Sequence, residues 1–276
     1  CIFEVNTRIG GDLACDVPRD RARRLFERLD TLTASGLGQG TAVEPSARGG
    51  EIVLRAGQRL PLVVDPLDGV HRFTLVYLHP FKSGLDDYIR KAECFRMAGL
   101  RIVMPWAPWR NISCFGGRRM LAWYDYLTDH GGLAEDGLDE ATLADSRLRL
   151  SALLDAEAAL LPHGAAGIFI GGCSQGCGMA LDVAMNYSAD LAGFVGVVGH
   201  RLSATAVGRH LELPLDFFHG AKDRVMRQSW VAPTIDALLA AGHVNLVVHK
   251  PLVGVPHVVS RAVEAACIQQ ALRQCL

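Results

Sequence analysis

The strongest constraint on this chain is a rhythm. From Phe73 to His249, short apolar runs alternate with amphipathic or longer connecting stretches. The runs Phe73–His79, Arg101–Pro105, Gly167–Gly171, Phe194–Gly199, Leu213–Phe218 and Val244–His249 are short and largely continuous in apolar character, as strands are when both faces are covered. Helical spacing marks Asp86–Ala98, Ala144–Leu161, Gly176–Tyr187, Trp230–Ala241 and Val258–Leu276. Strands separated by helices predict an α/β domain with a mainly parallel sheet and helices on both faces. Two earlier strand candidates, Ile52–Arg55 and Leu60–Val64, have no helix between them and predict an antiparallel hairpin at the sheet's edge. No internal repeat is evident.

Residues 1–50 read differently. Arg19–Ser35 is charged, with Leu25, Phe26, Leu29 and Leu32 at helical spacing, and is followed by the linker-like GLGQG and EPSARGG. This predicts an N-terminal arm or linker with a short helix at 1–50 and a folded domain at 51–276. The net charge of −1 gives no reason to expect a nucleic-acid or acidic-membrane partner. No apolar run approaches the roughly 18 residues of a spanning helix. No secretory leader is visible, and the start at Cys1 is compatible with a fragment that has lost one. Of the eight cysteines, Cys173 and Cys177 are the one close pair; no second pair or nearby histidine supports a zinc site. Scattered thiols in a chain this long point to a reducing compartment and a cytoplasmic location.

One connection, from Trp106 to about Asp139, lacks a regular pattern but holds Trp106, Trp109, Phe115, Trp123, Tyr124 and Tyr126. Long loops in compact domains are often functional, and disordered ones are poor in aromatics. An ordered, apolar loop over a site is expected, with Trp109 and Trp123 as pocket residues; the alternative is that the rings fill a satellite core.

The stretch GGCSQGCG, Gly171 to Gly178, follows one predicted strand and opens a predicted helix. A nucleophile on such a turn needs small residues two before and two after it, so that strand and helix can approach. Gly172, Ser174 and Gly176 fit that register. Around Cys173 and Cys177 it fails, because Gln175 and Met179 stand where glycine is required. Ser174 is therefore the candidate nucleophile. A serine needs a base, and the fold that uses this turn supplies an acid and then a histidine at the ends of later strands. Asp223 lies in the loop after Phe217-Phe218, whereas its rival Asp216 lies inside the strand. His257, in the loop before the last helix, is the favoured base. His249 at the end of the last strand is the rival, with His219 expected to hold a turn and His243 to cap a helix.

These pieces, with LVYLHPF upstream and AWYDY between, resemble the phospholipase/carboxylesterase branch of the α/β-hydrolases, whose best-known members are acyl-protein thioesterases. The resemblance spans roughly Phe73 to Leu276. Gly172-Cys173-Ser174-Gln175-Gly176 matches the family's G-F-S-Q-G apart from Cys173. His219-Gly220 with Asp223 matches its H-G-then-acid segment, Gly254 and His257 its G-x-x-H loop, and Trp123-Tyr124-Asp125 its Trp-aromatic-Asp element. The resemblance implies an oxyanion hole formed by the backbone N–H groups of Phe81 and Gln175. His79-Pro80 departs from the family's His-Gly; proline lacks an N–H, but Phe81 keeps its own. Phe81 and Lys82 replace small residues there, and Ala221 stands where the family has a first acid.

The expectation that follows is a serine hydrolase that cleaves carboxylic esters or acyl thioesters through an acyl-enzyme, with no cofactor and no metal. Its substrate would be an acylated small molecule, lipid or protein. Two alternatives stay open: a catalytically inactive hydrolase fold that binds a lipid or protein partner, motivated by His79-Pro80 and the unusual N-terminal arm, and a carbon–carbon or lactone hydrolase on the same fold.

Overall fold

The structure is a computed structural model that describes residues 59–83, 85–128 and 137–273. The predicted arm at 1–50 and the strand candidate Ile52–Arg55 lie outside the described residues. Seven strands form one sheet: β1 (Leu62–Val64), β2 (Phe73–Leu78), β3 (Leu100–Met104), β6 (Ile168–Cys173), β7 (Gly193–Val197), β8 (Leu215–Phe218) and β9 (Leu246–Val248). Their order is β1-β3-β2-β6-β7-β8-β9. Every pairing is parallel except β1 with β3, where Leu62 faces Met104 and Val64 faces Ile102. The edge strand β1 is thus antiparallel to β3; the predicted hairpin with Ile52–Arg55 lies outside the described residues.

Period-two alternation sends successive side chains into two separate cores. In β2, Val76 and Leu78 enter one with Ile168 and Ile170 of β6, while Leu75 and Tyr77 enter the other with Phe169. Helices α2 (Glu140–Ala158), α3 (Gln175–Asn186) and α4 (Gln228–Ala241) cover the first core; α1 (Leu85–Cys94) and α5 (Arg261–Leu272) cover the second. Central α3 is buried on every side from Gln175 through Met185. Its Asp182 carboxylate, fully buried, is held by the Arg147 fork at 2.7 and 3.0 Å and by the Thr205 hydroxyl at 2.8 Å, so the charge is paired and its lone pairs are used.

The connection after Trp106 is more regular than its sequence suggests. Two strands, β4 (Trp109–Ile112) and β5 (Arg118–Leu121), form a separate antiparallel hairpin around a short 3₁₀ turn. Period-two patterning is weak there because Trp109, Asn111, Arg118 and Arg119 are exposed and only Ile112 of the eight strand residues is buried, so apolar alternation is not required. Polar ties replace a core: Asp125 accepts from the Ser113 N–H at 2.7 Å and hydroxyl at 2.6 Å, and Arg110 bonds Asp145 at 2.7 Å on α2. Helix α2 starts at Glu140, ahead of the expected Ala144, because Asp139 caps it by accepting from the Thr142 N–H at 2.6 Å.

Candidate active site

Strand β6 ends in Gly172-Cys173, and α3 begins at Gln175. Ser174 between them has φ 54° and ψ −119°, a conformation costly for a non-glycine residue. The two glycines of the register make it possible. A Cβ on Gly172 would run into the Gly176 carbonyl, and one on Gly176 into the carbonyls of Leu78 and His79. The Ser174 N–H donates to the Val197 carbonyl at 3.0 Å, which pins the turn to the neighbouring strand.

The loop after β8 carries Asp223, whose Oδ1 accepts from the N–H groups of Val225 and Met226 at 2.9 Å each. Its Oδ2 stands 2.9 Å from His257 Nδ1, and His257 Nε2 stands 2.9 Å from Ser174 Oγ. The chain therefore brings these three side chains, far apart in sequence, into one line. Asp223 is buried and His257 partly so, its side chain retaining 19 % of its exposure. With the Nδ1 proton given to Asp223, Nε2 is left to accept from the hydroxyl.

The rivals pair elsewhere. His249 Nε2 contacts Asp216 Oδ1 at 2.6 Å, and its ring stacks on Phe218 at 3.9 Å. His243 lies just past α4 and bonds the Val207 carbonyl at 2.8 Å, in keeping with an end-of-helix role. His219 is buried near Asp223, its Nε2 4.0 Å from Oδ2, and burial depresses its pKa. Cys173 and Cys177 are both buried, and burial pushes the Cys173 thiol well above its usual pKa, so it stays protonated.

Of the two implied oxyanion donors, Gln175 is the first residue of α3, where backbone N–H groups have no intrahelical acceptor. Phe81 lies in a turn beside the same cavity as Ser174. The Pro80 substitution is accommodated by His79: Nδ1 donates to the Pro80 carbonyl at 2.8 Å and Nε2 accepts from the Ala107 N–H at 3.0 Å. Burial, above all, lowers the His79 pKa to about 4, so the ring is neutral and its tautomer fixed.

A cavity of about 910 Å³ opens beside Ser174 and His257. The predicted pocket residues Trp109 and Trp123 do not line it, which corrects that expectation. Trp109 is 46 % exposed on the hairpin beneath Arg119. Trp123 is buried under the site, where its indole N–H donates to the His79 carbonyl at 2.9 Å. The aromatic lining is instead Phe81, Phe115, Tyr126 and Trp230, with Phe81 stacked on Phe115 at 5.9 Å and edge-on to Tyr126 at 5.4 Å. Trp230 sits in the first turn of α4, directly after the loop that holds Asp223; that position was the available signal for it. Among the described residues, no three His, Cys, Asp or Glu side chains converge as a metal site.

A parallel sheet with one antiparallel edge strand and a strained serine at the central strand's exit defines an α/β-hydrolase. Comparison with known proteins gives the family. Residues 68–260 match the phospholipase/carboxylesterase family, and the chain belongs to it. It is 31% identical over 179 residues to acyl-protein thioesterase 1 of Yarrowia lipolytica, covering 60% of this chain and 76% of that protein. It is 26% identical over 181 residues to acyl-protein thioesterase 1 homolog 1 of Dictyostelium discoideum, covering 62% and 78%. The crystal structure of Zea mays acyl-protein thioesterase 2 superposes with a TM-score of 0.63 at 26% identity, over 77% of this chain and 98% of that one. The chain is a hydrolase acting on ester bonds. Among the described residues, no helix is long and apolar enough to cross a membrane.

Proposed function

We propose that the chain hydrolyses carboxylic esters or acyl thioesters through an acyl-enzyme formed on Ser174. One observation carries the reading: Ser174 Oγ, His257 and Asp223 are joined by two contacts of 2.9 Å at the end of the central strands. Ser174 Oγ attacks the acyl carbonyl while His257 Nε2 takes its proton. Asp223 holds the ring and stabilises its cationic form. The backbone N–H groups of Phe81 and Gln175 receive the developing oxyanion. The C–O or C–S bond breaks as His257 returns the proton to the leaving group. Water then gives its hydroxyl to the acyl carbon and its proton to Ser174, again through His257. The cycle needs no metal or organic cofactor.

Substrates of this chemistry are acylated small molecules, lipids or proteins, and the relatives named acyl-protein thioesterases support thioesters among them. A cytoplasmic location is supported by the free thiols of Cys94, Cys114, Cys173, Cys177 and Cys267. The catalytic domain is taken as 51–276, with 1–50 as an arm. The Ser174–His257–Asp223 contacts weigh against the inactive-fold alternative. Ser174→Ala tests the reading: it should abolish both 4-nitrophenyl ester hydrolysis and labelling by a fluorophosphonate probe. Retained labelling would sink it.

A further inference from the structure

The imidazole of His219 is a buried polar group that neither the turn it stands in nor the proposed cycle uses. The backbone alone holds that turn. The His219 carbonyl accepts from the Leu252 N–H at 2.8 Å, and the Ala221 N–H donates to the Leu252 carbonyl at 3.0 Å. The Lys222 N–H adds a third tie, to the Val255 carbonyl at 2.9 Å. These bonds join the segment that carries Asp223 to the one that carries His257. At position 219 they need only a carbonyl, which every residue type has.

The His219 side chain keeps 8 % of its exposure, and neither ring nitrogen makes a hydrogen bond of good geometry among the described residues. Burial, the main cause, lowers its pKa, so the ring is neutral near pH 7. A buried polar ring without such a bond costs stability, and a leucine would fill the space without that cost. Stability therefore gives no reason for a histidine here. Two acceptors face the ring: the Met226 carbonyl, and Asp223 Oδ2 at 4.0 Å from Nε2. The carboxylate is charged and draws the single N–H of the neutral ring more strongly. His257 and His200 are the other titratable groups beside it.

The buried Asp223 carboxylate is unevenly held. Its Oδ1 accepts from two backbone N–H groups, whereas Oδ2 has only His257 Nδ1 within hydrogen-bond distance among the described residues. We infer that His219 is a positioning residue, which closes its Nε2–H on Asp223 Oδ2 as a second donor and keeps that oxygen in line with His257 while the proton moves. A movement of about 1 Å brings the pair to hydrogen-bond length, and contacts of this kind tighten in the substrate complex. The inference rests on the reading of Ser174, His257 and Asp223 as the reacting set. His219 touches no reacting atom and acts through Asp223.

Substitutions at 219 separate the N–H from the bulk of the ring. His219→Leu removes the donor, and kcat on 4-nitrophenyl butyrate should fall about tenfold or more with KM within about threefold. Its urea midpoint should equal or exceed that of the wild type. His219→Gln carries an amide N–H to nearly the Nε2 position and should recover most of the lost kcat. Because His219 acts through Asp223, the leucine substitution made in Asp223→Asn should cost less than about twofold more. A smaller loss of kcat in His219→Leu, a loss carried by KM instead, a glutamine variant as slow as the leucine one, or a full further loss in Asp223→Asn overturns the proposal. His219→Phe takes the place of His219→Leu if that variant does not fold; failure of both to fold gives the ring a structural role and overturns the proposal as well. Fluorophosphonate labelling separates the two readings. A wild-type protein labelled at Ser174 whose turnover is indifferent to position 219 loses this proposal alone, and one that neither labels nor cleaves loses both.

Discussion

The side-chain amide of Gln175 pairs with the backbone at Trp123 as a strand would: its Oε1 accepts from the Trp123 N–H at 3.0 Å, and its Nε2 donates to the Tyr124 carbonyl at 3.1 Å. The residue after Ser174 is thus bolted to the long connection that follows Trp106. Every group in this pair is buried. Gln175→Leu would remove both bonds and leave the buried Trp123 N–H without this acceptor, at a cost of about 1–3 kcal/mol. Urea unfolding should show that loss. Because the same turn positions the Gln175 N–H, kcat/KM on 4-nitrophenyl esters should fall at least about tenfold.

Much of this was legible beforehand, for reasons that differ by residue. Ser174 could be found because Gly172 and Gly176 are demanded by backbone contacts that no other residue type allows. Asp223 and His257 followed from strand order, since a parallel sheet delivers loop residues to one edge. The β4–β5 hairpin was missed because it is not built on a core. Trp123 and Trp109 misled for one reason: ring content marks apolar surface but not its direction. Gln175 was given a role through its N–H alone, because a side chain bonding to distant backbone leaves no periodic signature.

The pairing of the histidines gives a sharp contrast. His257→Ala removes the proposed base, and kcat should drop about 10³-fold or more. His249→Ala should leave kcat/KM within about threefold, because His249 contacts Asp216 and Phe218 rather than Ser174. It should instead lower stability by about 1–3 kcal/mol, since it strands the Asp216 carboxylate. Esterase rates and urea unfolding of both variants would decide; a large rate loss in His249→Ala would reinstate the rival base.

Beneath the cavity, Glu264 binds Lys91 at 2.8 Å and accepts from the Tyr77 hydroxyl at 2.7 Å, with all three groups buried. Removing one partner of a buried pair costs more than removing both. Lys91→Met should destabilise by about 3–5 kcal/mol, because the Glu264 charge is left in an apolar surround. Lys91→Met/Glu264→Gln should recover most of that loss, since the amide keeps an acceptor for Tyr77 and carries no charge. Equal losses in the two variants, measured by urea unfolding, would show that the pair is not coupled.

Acid should loosen the fold through His79. Burial, the main cause, holds its pKa at about 4 against an ordinary value of 6.5, so between those limits the unfolded chain binds more protons than the folded one. Stability therefore rises with pH across that window. The contribution is complete above pH 6.5, shrinks as pH falls, and is gone near pH 4. A difference of this size corresponds to about 3 kcal/mol. Burial also depresses the pKa of His71 and of His219, which act in the same direction. Asn at position 79 can keep a donor for the Pro80 carbonyl and an acceptor for the Ala107 N–H but cannot take up the proton. Urea unfolding at a series of pH values should show a marked loss for the wild type between pH 6.5 and 4 and a shallower one for His79→Asn. Identical slopes for the two proteins would remove His79 as a source of the acid sensitivity.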